Sequence, residues 1–218
     1  MKRSTAALLV SGGLDSAVLV ATLLRRHARV VPIYIRQGLR WEAAEQYWLR
    51  RWLRYWPARS VAPLVTLALP MVDLYWRHWS VTGRRVPRAA DPDPSVYLPG
   101  RNVLLVAKAA VYCALHRIPV IAVGTLEGNP FTDASPVFRR TLSRTLTVGL
   151  GSRLTVVAPL ATCSKAEVIR RGRALPLAQT FSCINPHGRS HCGRCQKCAE
   201  RRRGFRAAGV PDLTRYVS

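Results

Sequence analysis

Apolar positions along the chain recur with two alternating periods. Residues 6–10 form a short, unbroken apolar run that stops at Ser11-Gly12-Gly13, the pattern of a strand buried on both faces of a parallel sheet. From Asp15 onward, Val18, Leu19, Thr22 and Leu23 repeat at three-to-four spacing, which predicts a helix packed on that strand. The alternation continues, with strands expected over 30–35, 61–69, 119–124 and 155–158 and helices over 41–56, 102–116 and 136–148. The 41–56 helix carries Trp41, Tyr47, Trp48, Trp52 and Tyr55 as an aromatic face, read as core rather than as a base-stacking platform, and Pro57 stops it. Strand and helix in turn predict an α/β fold, a Rossmann-like and mostly parallel sheet with helices on both faces.

One stretch breaks the pattern. Residues 76–99 are polar and rich in arginine and proline, with DPDPSVYLPG near the end, and a loop this long inside a compact domain predicts a mobile flap beside an active site. No run approaches the roughly 18–20 uncharged apolar residues of a membrane span. The start, MKRSTAALLVSGG, passes straight into a glycine turn, so it reads as a buried strand and not as a secretion signal. A chain of 218 residues, 49% of them apolar, is large enough for one core with a small appendage. These features predict a soluble, cytoplasmic protein with no membrane partner.

Charge changes the picture less than its size suggests. Lys and Arg number 34 against 11 Asp and Glu, a formal charge of +23. The arginines are scattered in short runs such as Arg50-Arg51, Arg84-Arg85 and Arg201-Arg202-Arg203, which reads first as solvated faces. Nucleic acid is left open as a partner without being predicted.

Candidate chemistry sits at two places. The turn Val10-Ser11-Gly12-Gly13-Leu14-Asp15-Ser16 lies between a buried strand and a helix, where the first helical N–H groups lack internal acceptors and the helix dipole favours an anion. Gly12 and Gly13 allow a sharp turn close to a phosphate, and the Ser11 and Ser16 hydroxyls can donate to its oxygens. Asp15 is too acidic to touch a polyphosphate directly, so it is expected to hold Mg²⁺ or to fix the loop. The second place is Cys183, Cys192, Cys195 and Cys198, spaced C-x8-C-x2-C-x2-C. Four thiolates at this spacing can close a tetrahedron around Zn²⁺ with no open position for water, which predicts a structural site; an iron–sulfur cluster is the competing reading. His187 and His191, in the same loop, are expected to be exposed, and Cys113 and Cys163 to be isolated core thiols.

The SGGLDS turn resembles the signature of the pyrophosphatase-loop ATPases, and four elements together resemble one family within them. These are Ser11 to Ser16, Leu98-Pro99-Gly100-Arg101-Asn102 before an apolar helix, Lys165-Ala166-Glu167-Val168-Ile169, and Thr180-Phe181-Ser182-Cys183 leading into the cysteine cluster. Their order and spacing are similar to the 7-cyano-7-deazaguanine synthases (QueC) of queuosine biosynthesis. The resemblance implies an ATP-dependent ligase that converts 7-carboxy-7-deazaguanine and ammonia to the nitrile through acyl-adenylate and amide intermediates. It further implies an ATP-binding catalytic domain over 1–178, a zinc-binding segment over 179–218 and a homodimer. Asp15 and Lys165 are then the expected catalytic residues, Lys165 neutralising charge on the α-phosphate, and the turn 10–16 binds ATP. Arg101, Asn102 and Asp133 are expected to contact substrate, although Asn102 serves equally as a helix cap.

Two segments depart from the family pattern. Ala134 and Ser135 follow Asp133 where the family carries Cys-Arg, and Arg36-Gln37-Gly38 follows the second strand where an aromatic or acidic residue and Gly-Gln are usual. These changes bear on the acid substrate and not on adenylation. A related amidating ligase or a tRNA-modifying enzyme of the same superfamily is the alternative, followed by an inactive, zinc-stabilised nucleic-acid-binding module.

Overall fold

The computed structural model describes residues 4–217; the basic start of the chain at 1–3 lies outside them. Five parallel strands, β1 (Thr5–Leu9), β2 (Arg29–Arg36), β3 (Val65–Ala68), β4 (Val120–Ala122) and β5 (Thr155–Val157), form one sheet in the order β3-β2-β1-β4-β5. The chain moves from β1 outward to β3, then returns to place β4 on the other side of β1. That reversal opens a crevice at the carboxyl ends of β1 and β4, where open α/β sheets bind ligands.

Alternation along β1 explains the two faces. Leu8 points into a core shared with helix α1 (Leu14–Leu24), Leu49 and Trp52 of α2 (Glu42–Leu53), Ile169 of α6 (Lys165–Arg171) and Phe205 of α7 (Gln196–Ala208). Ala7 points the other way, into a core with Val106 and Ala110 of α4 (Arg101–Leu115) and with Leu142 and Leu146 of α5 (Pro136–Leu150). A third cluster joins Trp41, Met71, Tyr75, Leu98 and Phe181 to the four clustered cysteines. Cys113 is buried in the second core and Cys163 in the first, the isolated positions expected of them. Among the described residues, no helix is long and apolar enough to cross a membrane.

Three local expectations change. Helix α2 begins after Trp41 and ends at Leu53, and the following N–H groups of Arg54, Tyr55 and Trp56 bond three residues back, tightening the turn ahead of Pro57. The aromatic face is accordingly divided: Trp41 and Trp52 are buried, whereas Tyr55 is 51% exposed. The third strand is shorter than expected. Val61 makes only an isolated bridge to Val30, since Pro63 has no N–H to extend the ladder.

The 76–99 segment, expected as a mobile flap, is fastened along its length. It contains a single helical turn, α3 (Trp79–Thr82), and a 3-10 turn at Asp93–Val96. Trp79 stacks on Trp41 with ring centroids 5.7 Å apart. Ala89 N donates to Arg194 O at 3.0 Å and Gln196 N to Pro87 O at 3.0 Å, so the segment runs as a strap against the cysteine region.

Candidate active site and metal centre

The turn between β1 and α1 is braced from two sides. Gly12 has a φ of 74°, a left-handed conformation that favours glycine. A Cβ there would stand 3.1 Å from Leu49 Cβ and 3.3 Å from the Glu45 carbonyl, because α2 packs directly on the loop. From the other side Phe181 N donates to Gly12 O at 2.8 Å. Within the turn, Ser16 Oγ accepts from Ser11 N at 3.0 Å and Ser11 Oγ accepts from Gly13 N at 3.3 Å. Gly13 is the N-cap of α1 and no side chain caps the helix, which leaves its N-terminal donors available to an anion.

Asp15, in the first turn of α1, is held by Lys165, whose Nζ donates to its two oxygens at 2.9 and 2.8 Å. The same ammonium pairs with Glu200 Oε1 at 3.0 Å, and Lys197 pairs with the other oxygen of Glu200. Local sequence explains how Lys165 arrives there. A capping box between Ser164 and Glu167 starts α6 immediately before it. Gly204 of α7 lets the lysine stem pass, since a Cβ there would stand 2.7 Å from Lys165 Cγ. Burial opposes the charge on Lys165, but Asp15 and Glu200 outweigh it and raise its pKa. Burial likewise opposes ionisation of Glu200, yet Lys165 and Lys197 bring it down to about 2. Lys165 is therefore the centre of a charge chain and not a solvated helix lysine.

The three residues expected to meet substrate are arranged unequally. Arg101, at the start of α4, donates from Nε to Gln37 Oε1 at 2.8 Å and lines both cavities described below. Asn102 does not cap its own helix: Gly100 is the N-cap, with no side-chain bond. Instead Asp133, buried, accepts from Asn102 N at 3.1 Å and from Asn102 Nδ2 at 3.2 Å. Its carboxylate caps α4 from a separate 3-10 turn, Thr132–Ala134. Ser135, at one of the positions departing from the family pattern, caps α5 by accepting from Phe138 N at 3.1 Å.

Two cavities of about 230 and 220 Å³ meet at the β1–α1 turn. The first lies toward the cysteine region and is walled by Trp41, Trp79, Phe131, Lys165, Phe181 and Glu200. The second lies at the sheet crevice, between Val10, Ile35, Val106, Val123, Gly124 and Phe138. Ser11, Asp15, Glu45 and Arg101 line both. The junction of two ligands would fall among these four side chains.

Several of these groups carry no signature in the sequence. Glu42 accepts from Gln37 N at 2.6 Å, Gly38 N at 2.8 Å and Arg36 Nε at 2.9 Å, and so builds the unusual Arg36-Gln37-Gly38 turn. Glu45, one helical turn later, accepts from Tyr34 Oη at 2.7 Å. Glu200 follows the cysteines in the sequence and Arg201 is almost wholly buried. The guanidinium of Arg201 donates to Thr214 Oγ1 at 2.8 Å, Thr180 Oγ1 at 2.9 Å and Leu177 O at 2.8 Å. The one available signal was acidic residues at apolar-spaced positions of α2, which a tally of charge does not show.

The cysteine cluster is assembled as the spacing required. The sulfurs of Cys183, Cys192, Cys195 and Cys198 lie within 4.8 Å of one another, all four residues buried. Cys183 Sγ and Cys195 Sγ are 3.8 Å apart, close to the edge of a tetrahedron of thiolates drawn at about 2.3 Å from zinc. The N–H groups of Asn185 and Cys192 point at Cys183 Sγ, at 3.4 and 3.3 Å, and those of Arg194 and Cys195 at Cys192 Sγ, at 3.4 and 3.3 Å. Such donors favour the thiolate form that a metal requires. His187 is exposed, as expected. His191 is not: it is buried, accepts from Ser182 N at 3.1 Å and packs on Phe181, and burial lowers its pKa to about 3. It supports the loop from outside the sulfur cluster.

Comparison with known proteins points the same way. The model of the family described as queuosine biosynthesis protein QueC matches residues 5–209. A 7-cyano-7-deazaguanine synthase of an Anaeromyxobacter species is 34% identical, over 99% of this chain and 98% of its own. The synthase of Methanothrix thermoacetophila is 32% identical over 95% and 96%, and that of Syntrophobacter fumaroxidans 30% identical over 99% and 97%.

Proposed function

The chain belongs to the family of queuosine biosynthesis protein QueC, and from that premise we propose how its site makes the product. It is a ligase of the 7-cyano-7-deazaguanine synthase kind. The observation that carries the reading is the convergence of two cavities on the phosphate turn, with Arg101 and Lys165 beside it. Adenosine would occupy the sheet crevice, its phosphates at the α1 N-terminus between Ser11 and Ser16. The carboxylate of 7-carboxy-7-deazaguanine would enter from the cysteine side, toward the α-phosphate. Arg101 offers an always-charged fork for that carboxylate, and Lys165 stabilises the charge that develops as pyrophosphate leaves. Ammonia then displaces AMP to give the amide, and a second activation at the amide oxygen permits its loss to leave the nitrile.

We assign the four cysteines to a structural Zn²⁺, whose role there is to hold 183–198 and the strap folded. Mg²⁺ would arrive with ATP and neutralise phosphate charge. Asp15 is the carboxylate of the phosphate turn nearest to hand for it, and its oxygens keep lone pairs beyond those facing Lys165. The same reading extends to ammonia as the nitrogen donor and to a homodimer.

A mass-spectrometric assay of the zinc-loaded protein with Mg-ATP, ammonium and 7-carboxy-7-deazaguanine tests the reading. Nitrile and AMP are the expected products. Amide as the sole product would instead identify an amidating enzyme, and an acid left unconsumed by protein that binds ATP would overturn the substrate.

A further inference from the structure

The nitrogen chemistry just described releases protons that the mechanism has not yet placed. Ammonia attacking the acyl-adenylate forms a C–N bond as the C–O bond to AMP breaks, and the new ammonium-like nitrogen must lose one proton to become the amide. When the amide oxygen then takes the adenylyl group from a second ATP and pyrophosphate leaves, the nitrogen loses a second proton to give an O-adenylyl imidate. Loss of the third, with departure of AMP and its electron pair, completes the C≡N bond. Each step needs an acceptor at the junction of the cavities.

Four residues line both cavities, and chemistry separates them. Arg101 offers N–H donors and no acceptor. The Ser11 hydroxyl is too weak a base. Both oxygens of Asp15 are engaged by the Lys165 ammonium, and the reading above gives its remaining lone pairs to Mg²⁺. We propose that Glu45 is the proton acceptor for amide and nitrile formation, an inference that rests on the nitrile-forming reading above.

Its setting fits that role. Glu45 is 8% exposed, Tyr34 Oη holds one of its oxygens at 2.7 Å, and the residue lines both cavities. The charged and titratable groups facing it are Tyr34 from β2, Glu42 from its own helix, Arg101 from α4 and Asp15 from α1. Burial raises its pKa to about 7, with Glu42 adding to the rise and Arg101 and the Tyr34 hydrogen bond opposing it. An acceptor poised near neutrality can take a proton at one step and release it before the next. Glu42 already satisfies the turn after β2, so that turn does not require Glu45, and burying a second carboxylate carries a cost.

The test uses the full-length, metal-loaded protein with Mg-ATP and ammonium. Glu45→Gln keeps shape and an acceptor for Tyr34 but removes the base. It is expected to slow nitrile formation about 10²–10⁴-fold, while adenylation, read as acid-dependent ATP–pyrophosphate exchange, falls far less. The wild-type rate is expected to decline below about pH 7, following Glu45. Tyr34→Phe removes the hydrogen bond that favours the carboxylate, so the acid limb should move to higher pH. A merely structural Glu45 would leave that limb in place, and an unmoved limb, or nitrile made by Glu45→Gln at the wild-type rate, overturns the proposal. If the wild type stops at the amide, the same two variants decide the role at the amination step. If it does not consume the acid, the substrate reading fails and the proposal falls with it.

Discussion

The cysteine centre and the cavity junction lie side by side but are built in opposite ways. All four sulfurs come from residues 183–198, and their geometry follows from a local turn and the start of α7. The junction takes Ser11 from the β1–α1 turn, Asp15 from α1, Glu45 from α2 and Arg101 from α4, with Lys165 reaching in from α6. The first site is encoded by spacing and the second by packing. The cysteine region also holds the second site together, because Phe181 braces Gly12 and Glu200 completes the charge chain.

That dependence can be broken from the cysteine side first, where the largest effect is expected. Stripping metal with a chelator, or Cys195→Ser, should lower Tm by roughly 10 °C or more. Hydrogen exchange should show lost protection over 183–198 and along the 87–97 strap, while β1 and β2 stay protected. Uniform loss across the sheet would show that the two regions unfold as one unit. Lys165→Met attacks the junction alone. It should cost about 10²–10³-fold in adenylation, or about 3–4 kcal/mol of transition-state stabilisation, with the metal content unchanged. An intact exchange rate would reduce Lys165 to an architectural ion pair.

What could be read in advance follows the same division. The alternation of buried runs and helical periods located the five strands of the described sheet; β1 and β2 are buried along their middles and show as continuous apolar stretches, whereas the edge strand β3 alternates half-buried and exposed positions. Spacing located the cysteine cluster, and the SGGLDS motif marked the β1–α1 turn where the two cavities meet. Glu45 and Glu200 were not legible, because a charged residue on an amphipathic helix looks solvent-facing until the neighbouring helix is placed. Asn102 fitted an N-cap by position, but Asp133 caps α4 across 31 residues of sequence. The strap's place beside the cavity was legible, but its fastening was not, for a related reason: its polar composition conceals backbone bonds to a segment more than 100 residues away.

Gly12 sharpens the comparison at its point of contact. Gly12→Ala adds a Cβ within 3.1 Å of Leu49 Cβ at a φ of 74°, and strain of both kinds should cost about 2 kcal/mol. Thermal melts with and without saturating Mg-ATP would separate this loss from a loss of phosphate binding. A variant with normal stability but no shift on adding nucleotide would place the whole effect on the turn's anion site.

The smallest effect concerns the charge chain that joins the two regions. Glu200 falls to about 2 in the folded protein from an ordinary 4.5, so the folded state binds this proton more weakly than the unfolded chain does. Its contribution to stability is therefore present above about pH 4.5 and is lost as pH falls toward 2. Glu200 also shares its gain with Lys165 and Lys197, and its side chain is 21% exposed, so only about 1 kcal/mol is expected at neutral pH. Urea melts of wild type and Glu200→Gln should differ by that amount at pH 7 and converge on acidification. Metal content is measured beside each melt, so that the comparison is made between proteins equally loaded. A gap that persists undiminished at about pH 2 and below would mean that Glu200 acts through packing between α6 and α7, and that the two regions are joined by shape and not by charge.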